Sequence, residues 1–72
     1  MLDISERLKL CRKKKGKTQK DIALLLGVSE RAYRHYELSD REPPLSTAAA
    51  LADAFDVSLD YLVGRSDDPA RR

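Results

Sequence analysis

Gly27 stands two residues before Ser29, with a short apolar-faced segment on either side, and this spacing dictates how the chain must turn. Glycine adopts a left-handed backbone at little cost and stops a helix. Serine caps the start of one by accepting a bond from its free amides. With only Val28 between them, two short helices must cross near a right angle. Such a crossing needs a small residue where one helix passes over the other, and Ala23 supplies it. It needs apolar side chains wherever the pair points inward, and Ile22, Leu26, Val28, Tyr33 and Tyr36 supply them.

The same punctuation organises the rest of the chain. Ile4, Leu8 and Cys11 fall at helical spacing in a segment that Gly16 ends. Thr18-Gln19-Lys20-Asp21 has the form of a capping box, with Asp in place of Glu. Paired prolines, Pro43-Pro44, bar a helix from crossing the loop that follows residue 38. Beyond them Leu45, Ala48, Leu51, Ala52 and Phe55 form one stripe, and Ser58 caps a last short segment that Gly64 ends. No stretch alternates with period two. The expectation is an all-α fold: a compact five-helix domain with helices over about 3–15, 18–26, 29–37, 45–55 and 58–63. Residues 1–64 form the domain and 65–72 a flexible C-terminal tail.

Seventy-two residues supply one core and no second domain. A single cysteine, Cys11, excludes an internal disulfide, and with the single histidine, His35, it cannot complete a zinc site. Neither a metal nor another cofactor is expected. The first ten residues hold no apolar run of signal-peptide or membrane-span length, and the expected location is the cytoplasm. Net charge is +2, but it is divided unevenly. Residues 1–36 carry ten Lys/Arg against four Asp/Glu, and residues 37–72 carry four against eight. A basic half suits a polyanion. It equally suits a solvated lysine-rich helix end that complements the helix dipole.

The stretch Thr18-Gln19-Lys20-Asp21-Ile22-Ala23, then Leu26-Gly27-Val28-Ser29, then Tyr36-Glu37 resembles the Cro and lambda-repressor-type helix-turn-helix family. So does the run from Arg41-Glu42-Pro43 through Leu51-Ala52-Asp53-Ala54-Phe55 to Val57-Ser58-Leu59-Asp60-Tyr61-Leu62-Val63-Gly64. The likeness covers roughly residues 4–64. It implies sequence-specific binding of double-stranded DNA by a transcriptional regulator, with helix 29–37 in the major groove. Under it, Glu30, Arg31 and His35 face base edges. Arg31 is suited to guanine O6 and N7, and Glu30 to cytosine N4. Alternatively, Glu30 serves as a helix-start charge or orients Arg31. His35 donates to guanine or a phosphate, or is simply a surface ring.

The resemblance also assigns backbone contacts. Gln19 donates to a phosphate at the start of the second helix and braces the reading helix, and Arg34 and Arg41 lie near the sugar-phosphate backbone. Thr18 and Ser29 are within phosphate reach, though capping alone explains both. Arg12 and Glu37 match an ion pair that ties the first helix to the reading helix. Some positions depart from the family pattern. Leu38-Ser39-Asp40 lacks the glycine usual after the reading helix, and Asp40 sets a negative charge near the expected phosphates. Pro44 replaces a common N-cap, Asp56 a common glycine, and Tyr33 a common β-branched residue; the Tyr33 hydroxyl must reach a partner or the surface.

As a regulator without a sensor domain, the protein is expected to be a homodimer on a two-fold operator, its half-sites about 34 Å apart. Tyr61 and Val63 are the interface candidates. The competing reading keeps the fold but makes the protein a partner module, such as an antitoxin, that uses Leu24 and Leu25 with Leu10 as an apolar patch. An enzyme is not expected: no nucleophile–base pair, carboxylate dyad or glycine-rich phosphate loop occurs.

Overall fold

The computed structural model describes residues 4–71. It contains α1 (Ile4–Lys14), α2 (Gln19–Leu26), α3 (Glu30–Glu37), α4 (Leu45–Phe55) and α5 (Leu59–Leu62), with no strand among the described residues. Each expected segment holds one helix. The expected spans run slightly long because they took in the caps: Thr18, Ser29 and Ser58 lie just outside their helices in extended conformation, each accepting a bond from the amide three residues on. The Thr18–Asp21 capping box is closed in both directions, at 3.0 Å each way. Asp3 lies outside the described residues.

All five helices end in the same way. The amide beyond a left-handed residue bonds the carbonyl five residues back: Lys17 to Arg12, Val28 to Ala23, Asp40 to His35, Val57 to Ala52 and Arg65 to Asp60. Glycine occupies the left-handed position at Gly16, Gly27 and Gly64, but Ser39 (φ 67°) and Asp56 (φ 56°) occupy the other two. A side chain there costs about 1–2 kcal/mol. The turn after α3 thus forms without the glycine whose absence stood out in the sequence.

Leu8, Cys11, Ile22, Ala23, Tyr33, Tyr36, Leu51, Ala52, Phe55 and Leu62 form one core, with Ile4, Leu26, Val28, Val57, Leu59 and Tyr61 packed against it. The rings of Tyr33 and Tyr36 meet edge to face, 6.3 Å between centroids, a favoured aromatic geometry. Cys11 fills the core, and burial raises its thiol pKa. Leu45, expected on the inward stripe of α4, is instead 75% exposed. It is the first residue of its helix, after Pro44 at the cap, and overhangs the core.

The segment after Gly64, expected to be a flexible tail, lies against the body of the molecule. Arg7, on the inward face of α1, is buried and reaches it: the guanidinium donates to the Tyr61 and Ser66 carbonyls at 3.2 and 3.3 Å and to the Asp67 carboxylate at 2.7 Å. The same group stacks over the Tyr61 ring at 4.0 Å. Further on, the Ser58 amide donates to the Pro69 carbonyl at 3.0 Å. Arg71 donates to the Ala52 carbonyl and the Asp53 carboxylate. A buried guanidinium needs acceptors; Tyr61 and the segment after α5 provide them for the two Nη groups, while Nε is buried without a partner.

Candidate nucleic-acid interface

The site is organised by α3, whose apolar side is fixed inward by Tyr33 and Tyr36. Glu30, Arg31 and Arg34 are exposed, and His35 is partly so. Arg31 makes no hydrogen bond or ion pair among the described residues, and neither does Arg41 in the following loop. Both cations are therefore available to an external anion or acceptor. Thr18 and Ser29 are exposed, with their hydroxyls held by capping.

Arg34 and Gln19 are tied into the interior of the molecule. A chain of contacts runs from the interior outward. Arg12 grips Glu37 with two bonds, Nε to Oε2 at 2.7 Å and Nη2 to Oε1 at 3.1 Å, and also donates to the Lys17 carbonyl. Gln19 Nε2 donates to Glu37 Oε1 at 3.2 Å, and its Oε1 accepts from Arg34 Nε at 3.4 Å. Arg34 in turn lies 3.4 Å from Glu30, one turn earlier. The side chain of Gln19 thus braces α2 against α3, as the resemblance implied, and also holds Arg34. Glu30 is paired with Arg34 rather than with Arg31.

The Arg12–Glu37 pair is nearly dry, the Glu37 side chain being 3% exposed and that of Arg12 14%. Burial disfavours a charged Glu37, but the hydrogen bonds reaching it, chiefly from Arg12, outweigh burial and hold its pKa below the ordinary value. The same bond raises the pKa of Arg12. The Tyr33 hydroxyl is buried beside this pair, out of reach of the surface; it makes no well-aligned hydrogen bond but lies close enough to the Glu37 carboxylate to favour its charged form. Burial, and then the Glu37 carboxylate, push its pKa up.

The contact between His35 and Asp40 was not legible in the sequence. His35 Nδ1 lies 3.0 Å from Asp40 Oδ2, across the turn made by Ser39. Tyr61, a dimer candidate, is half-buried under Arg7, whereas Val63 is at the surface. Leu24 and Leu25 are 71% and 65% exposed on α2, and Leu10 is 51% exposed on α1.

A helix-turn-helix family model matches residues 8–62. The chain belongs to the helix-turn-helix family. It is of the Cro and lambda-repressor type that its sequence resembles. A solved structure, the P22 c2 repressor in complex with a synthetic operator, matches with a TM-score of 0.84 at 32% identity, covering 92% of this chain and all of that one. A transcriptional regulator from Listeria innocua matches with a TM-score of 0.81 at 32% identity, over 86% of this chain and 58% of its own. The Bacillus subtilis HTH-type transcriptional regulator YqaE is 48% identical over 65 residues, 89% of this chain and 56% of the relative. The CTXphi transcriptional repressor RstR of Vibrio cholerae is 38% identical over 64 residues, 89% of this chain and 57% of the relative. This helix-turn-helix chain therefore spans little more than half the length of those two relatives. Among its described residues no helix is long and apolar enough to cross a membrane.

Proposed function

We propose that this chain binds double-stranded DNA by sequence and regulates transcription, laying α3 in the major groove. The observation that carries the reading is the exposed, uncommitted Arg31 on the side of α3 opposite its buried tyrosines. A guanidinium so placed can bond guanine O6 and N7 together. Glu30 acts mainly by holding Arg34, and Arg34, Arg41 and the helix starts at Thr18 and Ser29 follow the phosphates. Gln19 keeps one amide hydrogen for the same task. Support comes from the match, over nine-tenths of this chain, to a repressor solved in complex with a synthetic operator. Under this reading the protein acts in the cytoplasm as a homodimer, with Val63 and the outer edge of Tyr61 at the interface, and needs no catalytic group.

The test is selection of duplexes from a random pool, followed by affinity measurement across salt concentrations. Log affinity is expected to fall with log salt by about 0.9 for each phosphate neutralised. Arg31→Ala is expected to cost about 1–3 kcal/mol and to relax preference at one base position. Arg41→Ala should weaken all sequences alike and reduce the salt slope by about one. Binding that ignores salt, or a pool that yields no preferred sequence, refutes the reading.

The exposure of Leu24 and Leu25 favours a second reading, a protein-partner module such as an antitoxin built on the same fold. It predicts that a second polypeptide co-purifies with the chain and is lost when both leucines become serine.

A further inference from the structure

His35 is the chain's only histidine. It lies one helical turn after Arg31, and both line a surface hollow with Ser29, Ala32, Asp40 and Arg41. The turn after α3 folds back through the left-handed Ser39, and the Asp40 amide bonds the His35 carbonyl at 3.2 Å. This returns the Asp40 carboxylate to within 3.0 Å of His35 Nδ1.

An ionised carboxylate only accepts hydrogen bonds, so the proton of this contact sits on Nδ1. In the neutral ring the other nitrogen, Nε2, then carries a lone pair. An unconstrained histidine favours the opposite form, with the proton on Nε2. The contact therefore selects the less common tautomer and turns Nε2 from donor to acceptor.

We propose that Asp40 is a specificity-determining positioning residue: by holding the Nδ1 proton, it makes His35 read a base edge that offers a donor. In the major groove those edges are adenine N6 and cytosine N4, whereas guanine O6 and N7 and thymine O4 accept. The inference rests on the duplex-reading function and reverses the guanine donation that the resemblance suggested for His35. It also gives Asp40 a role despite its charge: the carboxylate beside the phosphates is engaged by the ring that it orients.

Two measurements test the inference separately. With a single histidine, the nitrogen-15 shifts of the ring report its tautomer without ambiguity. In the neutral ring, reached by raising pH until the shifts stop changing, the free protein should show a protonated Nδ1 and a bare Nε2, and Asp40→Ala should invert them. In the random-pool selection the wild type should favour adenine or cytosine at the base under His35 by about tenfold, and Asp40→Ala should cut this below about threefold or turn it toward guanine. His35→Ala identifies that position by abolishing its preference.

A wild-type ring protonated on Nε2 overturns the proposal. So does an unchanged base preference in Asp40→Ala, which is what a merely structural ion pair would give. A pool that yields no sequence while the Nδ1 tautomer is present instead removes the duplex-reading function, and the base-reading step with it.

Discussion

Arg12→Ala is expected to lower the unfolding free energy by about 3–5 kcal/mol, because it strands a buried carboxylate that has lost its main partner. A domain of this size rarely has more than about 3–5 kcal/mol in all. The variant should therefore be largely unfolded at room temperature, which urea titration followed by circular dichroism will show. The cost lies in leaving one charge alone, not in any large net worth of the pair. The double variant Arg12→Met, Glu37→Leu should accordingly recover most of the loss. A cost below about 1 kcal/mol for Arg12→Ala would mean that water reaches the pair freely.

The acid profile gives the same prediction a sign. In the wild type the pKa of Glu37 is lowered in the folded state, so its contribution is complete above the ordinary value of 4.5 and is lost as pH falls through the lowered one. Without Arg12, burial is opposed only by Gln19 and the neighbouring Tyr33 hydroxyl, and the carboxyl pKa should rise. A raised value reverses the dependence: that contribution is present at low pH and lost as pH climbs. Relative to the wild type, Arg12→Ala should recover stability on mild acidification.

Arg7→Ala is the second large effect, about 2–4 kcal/mol, from charge-assisted bonds to two carbonyls and a carboxylate together with the stack on Tyr61. Asp67 is 94% exposed at its side chain, so no buried charge is left behind and the loss is smaller than for Arg12. Hydrogen exchange at the Ser58 amide provides a local readout, because its acceptor is Pro69 in the docked segment. Exchange there should speed up well beyond the global change. Arg7→Lys should not rescue it, since an ammonium cannot reproduce the planar fork. If the Ser58 amide exchanges at its wild-type rate in Arg7→Ala, the segment holds its place without the arginine.

The helices were legible because each boundary is written in one or two residues: Thr18, Ser29 and Ser58 at starts, Gly16, Gly27 and Gly64 at ends. The burial of Tyr33 and Tyr36, and with it the outward side of α3, followed from their spacing. Ser39 and Asp56 were less transparent, because a left-handed turn forms there against residue preference, held by the bond five residues back. Leu45 misled because a stripe does not say where the core stops. Arg7 left a signal that went unread: it lies three residues after Ile4 and four before Cys11, on the same inward stripe. A charge there calls for acceptors from elsewhere in the chain, and only the fold brings residues 61–67 to it. The links from Glu37 through Gln19 to Arg34 join three side chains on two helices, and sequence spacing carries no trace of them.

Gln19 has a chemical vulnerability that its position creates. Its oxygen accepts from Arg34 and its nitrogen donates to Glu37, so the two ends of the amide are not interchangeable. Slow hydrolysis of that amide in an ageing sample would set a second carboxylate about where the nitrogen now lies, 3.2 Å from Glu37. The repulsion would act at the joint between the two crossing helices. Gln19→Glu reproduces this change at once, and it should melt below the wild type at neutral pH, with the gap closing in acid.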